Sequence, residues 1–296
     1  MTHPFISLLM PSRGRPDLVD RFIKSLITNT ADIDCVEIIF YVDEDDVGSY
    51  HIGSKDVSFK RIIGPRASMG AYNTACYAAA KGDIIILVND DMIIGTLGWD
   101  TRVIDFHASI PDKIYLAYGN DLFKKKNLCA FPIMSRRTCE LLINPFPKEY
   151  QGAFIDSHLW DIFMRLQYAG YNRFYYMEDL IFEHLHYRTG KAVFDETYSN
   201  RPRFIDDIVF ISLINCRKKA ADFLLSLIRC DEDHIVYHPE ACVIEESPKN
   251  LARAIIKYTD VFLFDSSLSL RWRSYLWTWF IGRYMAGRGM LWPFVR

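Results

Sequence analysis

Adjacent carboxylates at the end of an apolar run are the first residues in this chain whose types and spacing could do chemistry. The stretch Gly82-Asp83-Ile84-Ile85-Ile86-Leu87-Val88-Asn89-Asp90-Asp91 reads as a buried strand that delivers Asn89, Asp90 and Asp91 to its carboxyl end. Like charges held this close repel unless a proton or a cation neutralises them. A hard divalent ion suits the task, because Mg²⁺ or Mn²⁺ takes oxygen ligands, commonly one or two carboxylates completed by substrate phosphates. The competing role for the same residue types is a solvated turn or a helix cap. A second cluster lies at residues 182–191, where His184 and His186 fall on one face of an extended segment and are followed by Arg188 and Lys191. Two imidazoles side by side suit a ligand role, or a hydrogen-bonded structural one.

The elements that must position these groups follow from periodicity. Short apolar runs at 5–10, 36–42 and 84–88 alternate with helical patterns at 15–28, which has Pro16-Asp17 at its start, and at 69–80, which is rich in alanine. Runs that are apolar at successive positions are buried on both faces, as parallel strands flanked by helices are, so a three-layer α/β domain follows. Ligands of open α/β sheets bind beyond the carboxyl ends of the strands. Pro11-Ser12-Arg13-Gly14-Arg15, Asp43-Glu44-Asp45-Asp46 and Asn89-Asp90-Asp91 should therefore converge on one edge. From residue 113 the pattern turns mixed, with strands near 114–118, 129–134, 174–177 and 180–186, and helices from 135 and over 155–169. Beyond about residue 200 helical periodicity takes over. The expected organisation is a domain over 1–200 and a mainly helical region over 201–296, with the boundary near 198–202.

At 296 residues, half of them hydrophobic, the chain is long enough for a sizeable core, and 35 basic against 37 acidic residues leave a net charge of −2. No overall basic field exists to gather nucleic acid, so an anion site has to be local. The seven cysteines form no CxxC pair and sit in apolar segments, which predicts buried thiols in a reducing compartment and a cytosolic location. No leader peptide is evident at the amino terminus, and charged residues interrupt the one region apolar enough to suggest a spanning helix.

The order of these features, over residues 8–91, resembles the nucleotide-binding half of GT-A fold glycosyltransferases of the family-2-like group. Pro11-Ser12-Arg13, Val42-Asp43, Asn73 in a helix, Gly82-Asp83 and Asn89-Asp90-Asp91 match that family's motifs in sequence, with Asn in place of the usual first Asp of the DXD motif. The resemblance implies a Rossmann-like α/β/α fold with a mixed sheet, and a nucleotide-diphosphate sugar of UDP or GDP type as donor. It implies that Pro11, Arg13 and Asp43 line the nucleobase and ribose pocket and that Arg66 and Asn73 lie near the nucleotide. Asp91 would be the main ligand of Mn²⁺ or Mg²⁺, Asp90 would face sugar or ribose, and carry-over to Asn89 is the weakest. One of His184 and His186 would complete the metal site, with His184 favoured, and Arg188 and Lys191 would clamp the diphosphate. The segment Phe154-Ile155-Asp156-Ser157-His158-Leu159-Trp160-Asp161 resembles the family's acceptor-side helix. Asp156 at its start, with Asp161 as rival, would then be the base that deprotonates a hydroxyl acceptor, a saccharide or lipid-linked, in an inverting transfer.

Two other functions share parts of this pattern. Sugar-1-phosphate nucleotidyltransferases carry a long glycine-rich loop after the first strand, and Pro11-Ser12-Arg13-Gly14-Arg15 is too short for one. A non-catalytic sugar- or nucleotide-binding protein of the same fold has only Asn89 in its favour. The tail over 270–296 holds four of the six tryptophans among arginines. That mixture suits a helix in a membrane interface at the inner face of the cytoplasmic membrane, or equally a helix docked on the domain.

Overall fold

The computed structural model describes residues 4–194, 199, 203–230 and 243–291. Eight strands are found among them: β1 (Ile6–Pro11), β2 (Val36–Asp43), β3 (Ser58–Gly64), β4 (Ile84–Leu87), β5 (Met92–Ile94), β6 (Leu116–Asn120), β7 (Ile133–Ser135) and β8 (Phe174–His184). They form one sheet in the order β3-β2-β1-β4-β7-β6-β8-β5. β1 pairs parallel with β2 and β4, and β2 with β3, whereas β7 runs antiparallel to both of its neighbours. The sheet is thus mixed, as expected for the second half.

Helices α1 (Pro16–Asn29), α2 (Met69–Ala79), α3 (Trp99–Ser109), α4 (Arg136–Leu142) and α5 (Ile155–Tyr168) complete the layers. Alternation along the buried strands sends side chains to two separate cores. Ile6, Leu8 and Met10 of β1 join Phe40 of β2, Phe22 of α1 and Trp99 of α3 on one face. Leu9, Ile39 and Ile85 face the other way, with Cys76 of α2, Cys139 of α4 and Phe163 of α5.

Three elements escape sequence periodicity. β3 is the edge strand and most of its residues are half-buried or exposed, so it lacks the continuous apolar run of its neighbours; its Lys60 and Arg61 are the charges that edges tolerate. β5 has only three residues, and the apolar spacing of α3 is diluted by Asp100, Arg102 and Asp105. Conversely, the separate strands expected at 174–177 and 180–186 are one strand, β8, whose pairing with β6 slips between Gly119 and Asn120.

Beyond β8, α6 (Ile205–Ser212), α7 (Ile214–Arg229), α8 (Leu251–Tyr258), a π turn over Thr259–Leu263 and α9 (Leu270–Gly287) confirm the helical C-terminal region. The expected boundary at 198–202 lies, Ser199 apart, outside the described residues. Phe210 of α6, Leu224 of α7, Phe262 of the π turn and Phe280 of α9 belong to the same core as α5. Phe154 stands in that core with ring centroids 5.3 Å from Phe210 and 5.8 Å from Phe280.

Trp272, Trp277 and Trp279 of the tail are half-buried and pack on the domain. Trp272 stacks on Trp160 at 5.5 Å, Trp279 lies 5.4 Å from Phe154, and Trp277 donates its Nε1–H to Thr259 at 3.0 Å. Trp292, Phe294 and Arg296 lie outside the described residues. No helix among the described residues is long and apolar enough to cross a membrane. The expectation of seven buried thiols needs correcting: Cys76, Cys129 and Cys139 are buried thiols, but Cys35 is half-buried, Cys230 is exposed and Cys216 is disulfide-bonded. The inference of a reducing compartment loses that support.

Candidate active site

The carboxyl ends of β1, β2 and β4 do converge. Ser12 and Arg15, just past β1, both reach Asp90 past β4: the Ser12 hydroxyl donates to Oδ2 at 2.6 Å and Arg15 Nη1 lies 3.0 Å from Oδ1. Asp90 is buried. Burial pushes its carboxyl up, the Arg15 charge pulls it back and the Asp91 charge raises it again, with a net upward shift. Arg13 bridges to Asp43 at 2.6 Å and to Asp45 at 2.8 Å. Its hydrogen bond holds Asp45 below the usual carboxylate range, with Arg66, exposed after β3, adding a smaller pull. The second Asp43 oxygen accepts the Tyr72 hydroxyl of α2 at 2.6 Å.

Asp91 meets a different partner. β5, which follows it, pairs antiparallel with β8 so that Met92 stands opposite His184. The Leu185 N–H donates to the Asp91 carbonyl at 2.8 Å, and the His184 N–H to the Asp121 carbonyl at 3.0 Å. These contacts bring His184 Nε2 to 3.2 Å from Asp91 Oδ2, while its Nδ1 is buried without a hydrogen-bond partner and its ring centroid lies 5.4 Å from that of Phe131. An imidazole nitrogen and a carboxylate oxygen facing each other are two donors of the kind a divalent ion takes. Among the described residues no group of three or more His, Cys, Asp or Glu could hold a metal unaided.

No protein-family model matches the sequence, and no curated protein matches it by sequence. Solved structures do match. The mannosyltransferase PcManGT from Pyrobaculum calidifontis, in complex with GDP-Man and Mn²⁺, superposes over 99% of this chain and 89% of its own at a TM-score of 0.51 and 10% identity. Glucosyl-3-phosphoglycerate synthase from Mycobacterium tuberculosis, in complex with Mn²⁺ and UDP-Glc, covers 73% of this chain and 79% of its own at 0.50 and 12%. The fold is GT-A.

Within that GT-A frame the remaining expected residues separate. Pro11 closes β1, buried. Asn89 is exposed and its carbonyl accepts the Met92 N–H at 3.2 Å, so it shapes the turn. Asn73 is buried on α2 with its amide returned to the Met69 carbonyl at 3.0 Å. His186 lies beyond the end of β8, not on a shared strand face with His184; its Nδ1 accepts the Arg188 N–H at 3.2 Å and its ring stacks on Phe123. Lys191 pairs with Glu183 at 2.5 Å, and Arg188 donates to the Tyr187 hydroxyl at 3.1 Å.

The two acidic candidates on α5 differ sharply in environment. Asp156 stands half-buried in the first turn and accepts the Ser157 N–H at 2.6 Å. Asp161 is 1% exposed and bonded to Arg165 at 2.9 Å and Arg217 at 2.7 Å. Burial alone would raise its pKa, but the two guanidinium charges outweigh that and hold it low. Arg165 continues to Asp265 at 2.8 Å, making a buried ionic bridge between α5, α7 and the turn after Leu263.

Several residues that hold the candidate site carry no motif of their own. Arg15, which the sequence places in the cluster after β1 without a role, pins Asp90, and Tyr72 pins Asp43 from α2. Asp206 of α6 accepts the backbone N–H groups of Gln151, Gly152 and Ala153 at 2.7–2.9 Å, which fixes the loop entering α5. Phe154, the residue between that loop and α5, has φ +69°, a strained conformation that only a well-held segment keeps.

Proposed function

We propose that this chain is a metal-dependent glycosyltransferase that moves a sugar from a UDP- or GDP-type donor to a hydroxyl acceptor, a saccharide or a lipid-linked one, with inversion. The observation that carries the reading is the approach of His184 to Asp91 at 3.2 Å, on the same sheet edge as Asp43 with its Arg13 partner.

In this reading Asp91 and His184 hold Mn²⁺ or Mg²⁺, and the nitrogen donor favours Mn²⁺. The ion, when bound, offsets the charge of the departing diphosphate. Pro11, Arg13, Asp43 and Arg66 form the base and ribose side, Asn73 steadies the helix behind it, and Arg15 keeps Asp90 in place. Arg188 and Lys191 approach the diphosphate from beyond β8. Asp156 takes the acceptor proton as the hydroxyl attacks, while Asp161, locked between two arginines, maintains the α5–α7 packing. Residues 1–200 form the catalytic domain, and residues 201–296 a helical region that braces it. The exposed start of α9, with Leu270 and Tyr275, is where a bilayer surface would be met; liposome flotation of the full chain tests this, and an unchanged distribution counts against it.

Titration calorimetry with UDP and GDP, with and without Mn²⁺, is the direct test. Mn²⁺ should raise nucleotide affinity at least tenfold in the natural chain and have no effect in Asp91→Ala. Undiminished metal-dependent binding by that variant would overturn the metal assignment. Affinity that persists without donor hydrolysis in any nucleotide sugar would instead favour the binding-protein reading.

A further inference from the structure

The loop between β6 and β7 and the segment that follows β8 together carry an array of rings and cations beside the Asp91–His184 pair. Phe123 stacks on His186 with centroids 5.6 Å apart and planes 15° apart, His186 lies 4.4 Å from Tyr187, and Tyr187 meets Phe194 edge-on at 4.9 Å. The His186 and His184 rings are 5.2 Å apart, so this aromatic strip begins at the candidate metal pair. Lys124 holds its ammonium 4.6 Å from the centre of the Phe123 ring. Lys124, Lys125 and Lys126 are all exposed, and among the described residues none has a carboxylate partner.

The loop is held, and held under strain. Asp121 is 1% exposed, and one of its carboxylate oxygens accepts the N–H groups of Phe123, Lys124 and Lys125 at 3.0, 2.7 and 2.6 Å. The Tyr118 hydroxyl donates to the Lys126 carbonyl at 3.0 Å. Leu122 and Lys125 nevertheless sit at φ +55° and +53°, each a left-handed conformation that is strained for a residue with a Cβ. A solvated charge run needs neither anchors nor strain. Strain of this kind persists where the surrounding structure over-determines it, and it clusters at binding sites.

We propose that the strip is the acceptor subsite and that it selects a sugar ring bearing an anionic substituent, of which a phosphate ester is the simplest. The ring faces are taken up by one another and by Lys124, so the sugar packs along the half-exposed outer edges of Phe123, His186 and Tyr187, and the anion meets the lysines at the Phe123 end. The proposal rests on the glycosyltransferase reading of the neighbouring pair.

Calorimetry on the full chain with Mn²⁺ and nucleotide, using glucose 6-phosphate and glucose as probes, tests it. Glucose 6-phosphate should bind at least tenfold more tightly than glucose, with an advantage that shrinks as salt rises. The triple variant Lys124→Ala, Lys125→Ala, Lys126→Ala should lose that advantage while its nucleotide Kd stays within twofold, and Phe123→Ala should weaken both probes. Equal binding of the two probes, or an advantage that survives in the triple variant, would overturn the proposal. So would a triple variant that loses nucleotide affinity instead, since the lysines would then serve the donor. The same titration without nucleotide reads the strip alone, so a chain that bound no nucleotide would sink the donor reading and still report the phosphate preference.

Discussion

At the residue scale the site is built from pairs in which one partner fixes the other. Asp90 shows why. A buried carboxylate is tolerated only when paired and hydrogen-bonded, and Arg15 and Ser12 supply both contacts. The Arg15 and Asp90 side chains are each only 9% exposed, so removing the cation leaves a charge stranded away from water. Arg15→Met should therefore cost about 3 kcal/mol in urea denaturation, and much of that loss should return in the double variant Arg15→Met, Asp90→Asn. The Arg13–Asp45 contact is a useful contrast, because both groups are substantially exposed; Asp45→Asn should leave the urea midpoint nearly unchanged. Asn89 shows the limit of motif reasoning. Its place in the triplet suggests a ligand, but Asn89 is exposed at the bend, which leaves the proposed metal role to Asp91.

At the element scale, the N-terminus of α5 is held by a residue from the C-terminal helices. Asp206 collects three backbone N–H groups just before Phe154, and Phe154 leads straight into Ile155 and Asp156. Asp206→Ala would take the acceptor from three partly exposed donors, a loss that water makes good only in part, at a cost of about 1–2 kcal/mol. Its more telling effect concerns the proposed base: transfer to an acceptor should fall at least tenfold while Mn²⁺-dependent nucleotide affinity stays within twofold, since the donor residues ride on β1, β2 and β4. Equal losses in both would show that the loop serves folding alone. The close seat of α2 is a further example. A Cβ on Gly70 would lie 1.9 Å from the Pro147 carbonyl oxygen, so only glycine lets α2, with Tyr72 and Asn73, pack this tightly against the segment before α5.

At the scale of the whole molecule, burial of ionisable groups sets how stability depends on pH. His158 is buried beside the Tyr150 hydroxyl at 3.0 Å. Desolvation, helped by the Arg217 charge, holds its pKa well below the ordinary histidine value. The unfolded chain therefore takes up a proton that the folded chain refuses, and stability falls as pH drops below about 6.5. Asp161 and Asp265 are both held low by their cation partners despite burial. Their contribution is present above the unfolded carboxylate value and is lost as pH falls below about 4. Asp90, shifted upward, opposes that second limb. Urea midpoints from pH 8 to pH 3.5 should show a first decline between about pH 6.5 and 5, and His158→Gln should flatten it. A single decline confined below pH 4.5 would contradict this assignment.

The primary sequence by itself determined the parts of this protein that are local. Short apolar runs rich in β-branched residues and bounded by polar turns read as strands buried on both faces, so β1, β2, β4 and the acidic and basic residues that close them were legible with nothing else, as were α1, α2 and α5. Their order carried the GT-A resemblance. What only the tertiary structure decided depends on partners distant in the chain. The pairing of β5 with β8 brings His184 and not His186 against Asp91, because the strand ends between the two histidines. The separation of Asp156 from Asp161 came from Arg217, 56 residues away from Asp161 along the chain, which no spacing rule on one helix can register. The packing of the tail tryptophans on the domain followed from a core shared with α5, since an amphipathic mixture of tryptophan and arginine fits either lipid or protein until the facing surface is known.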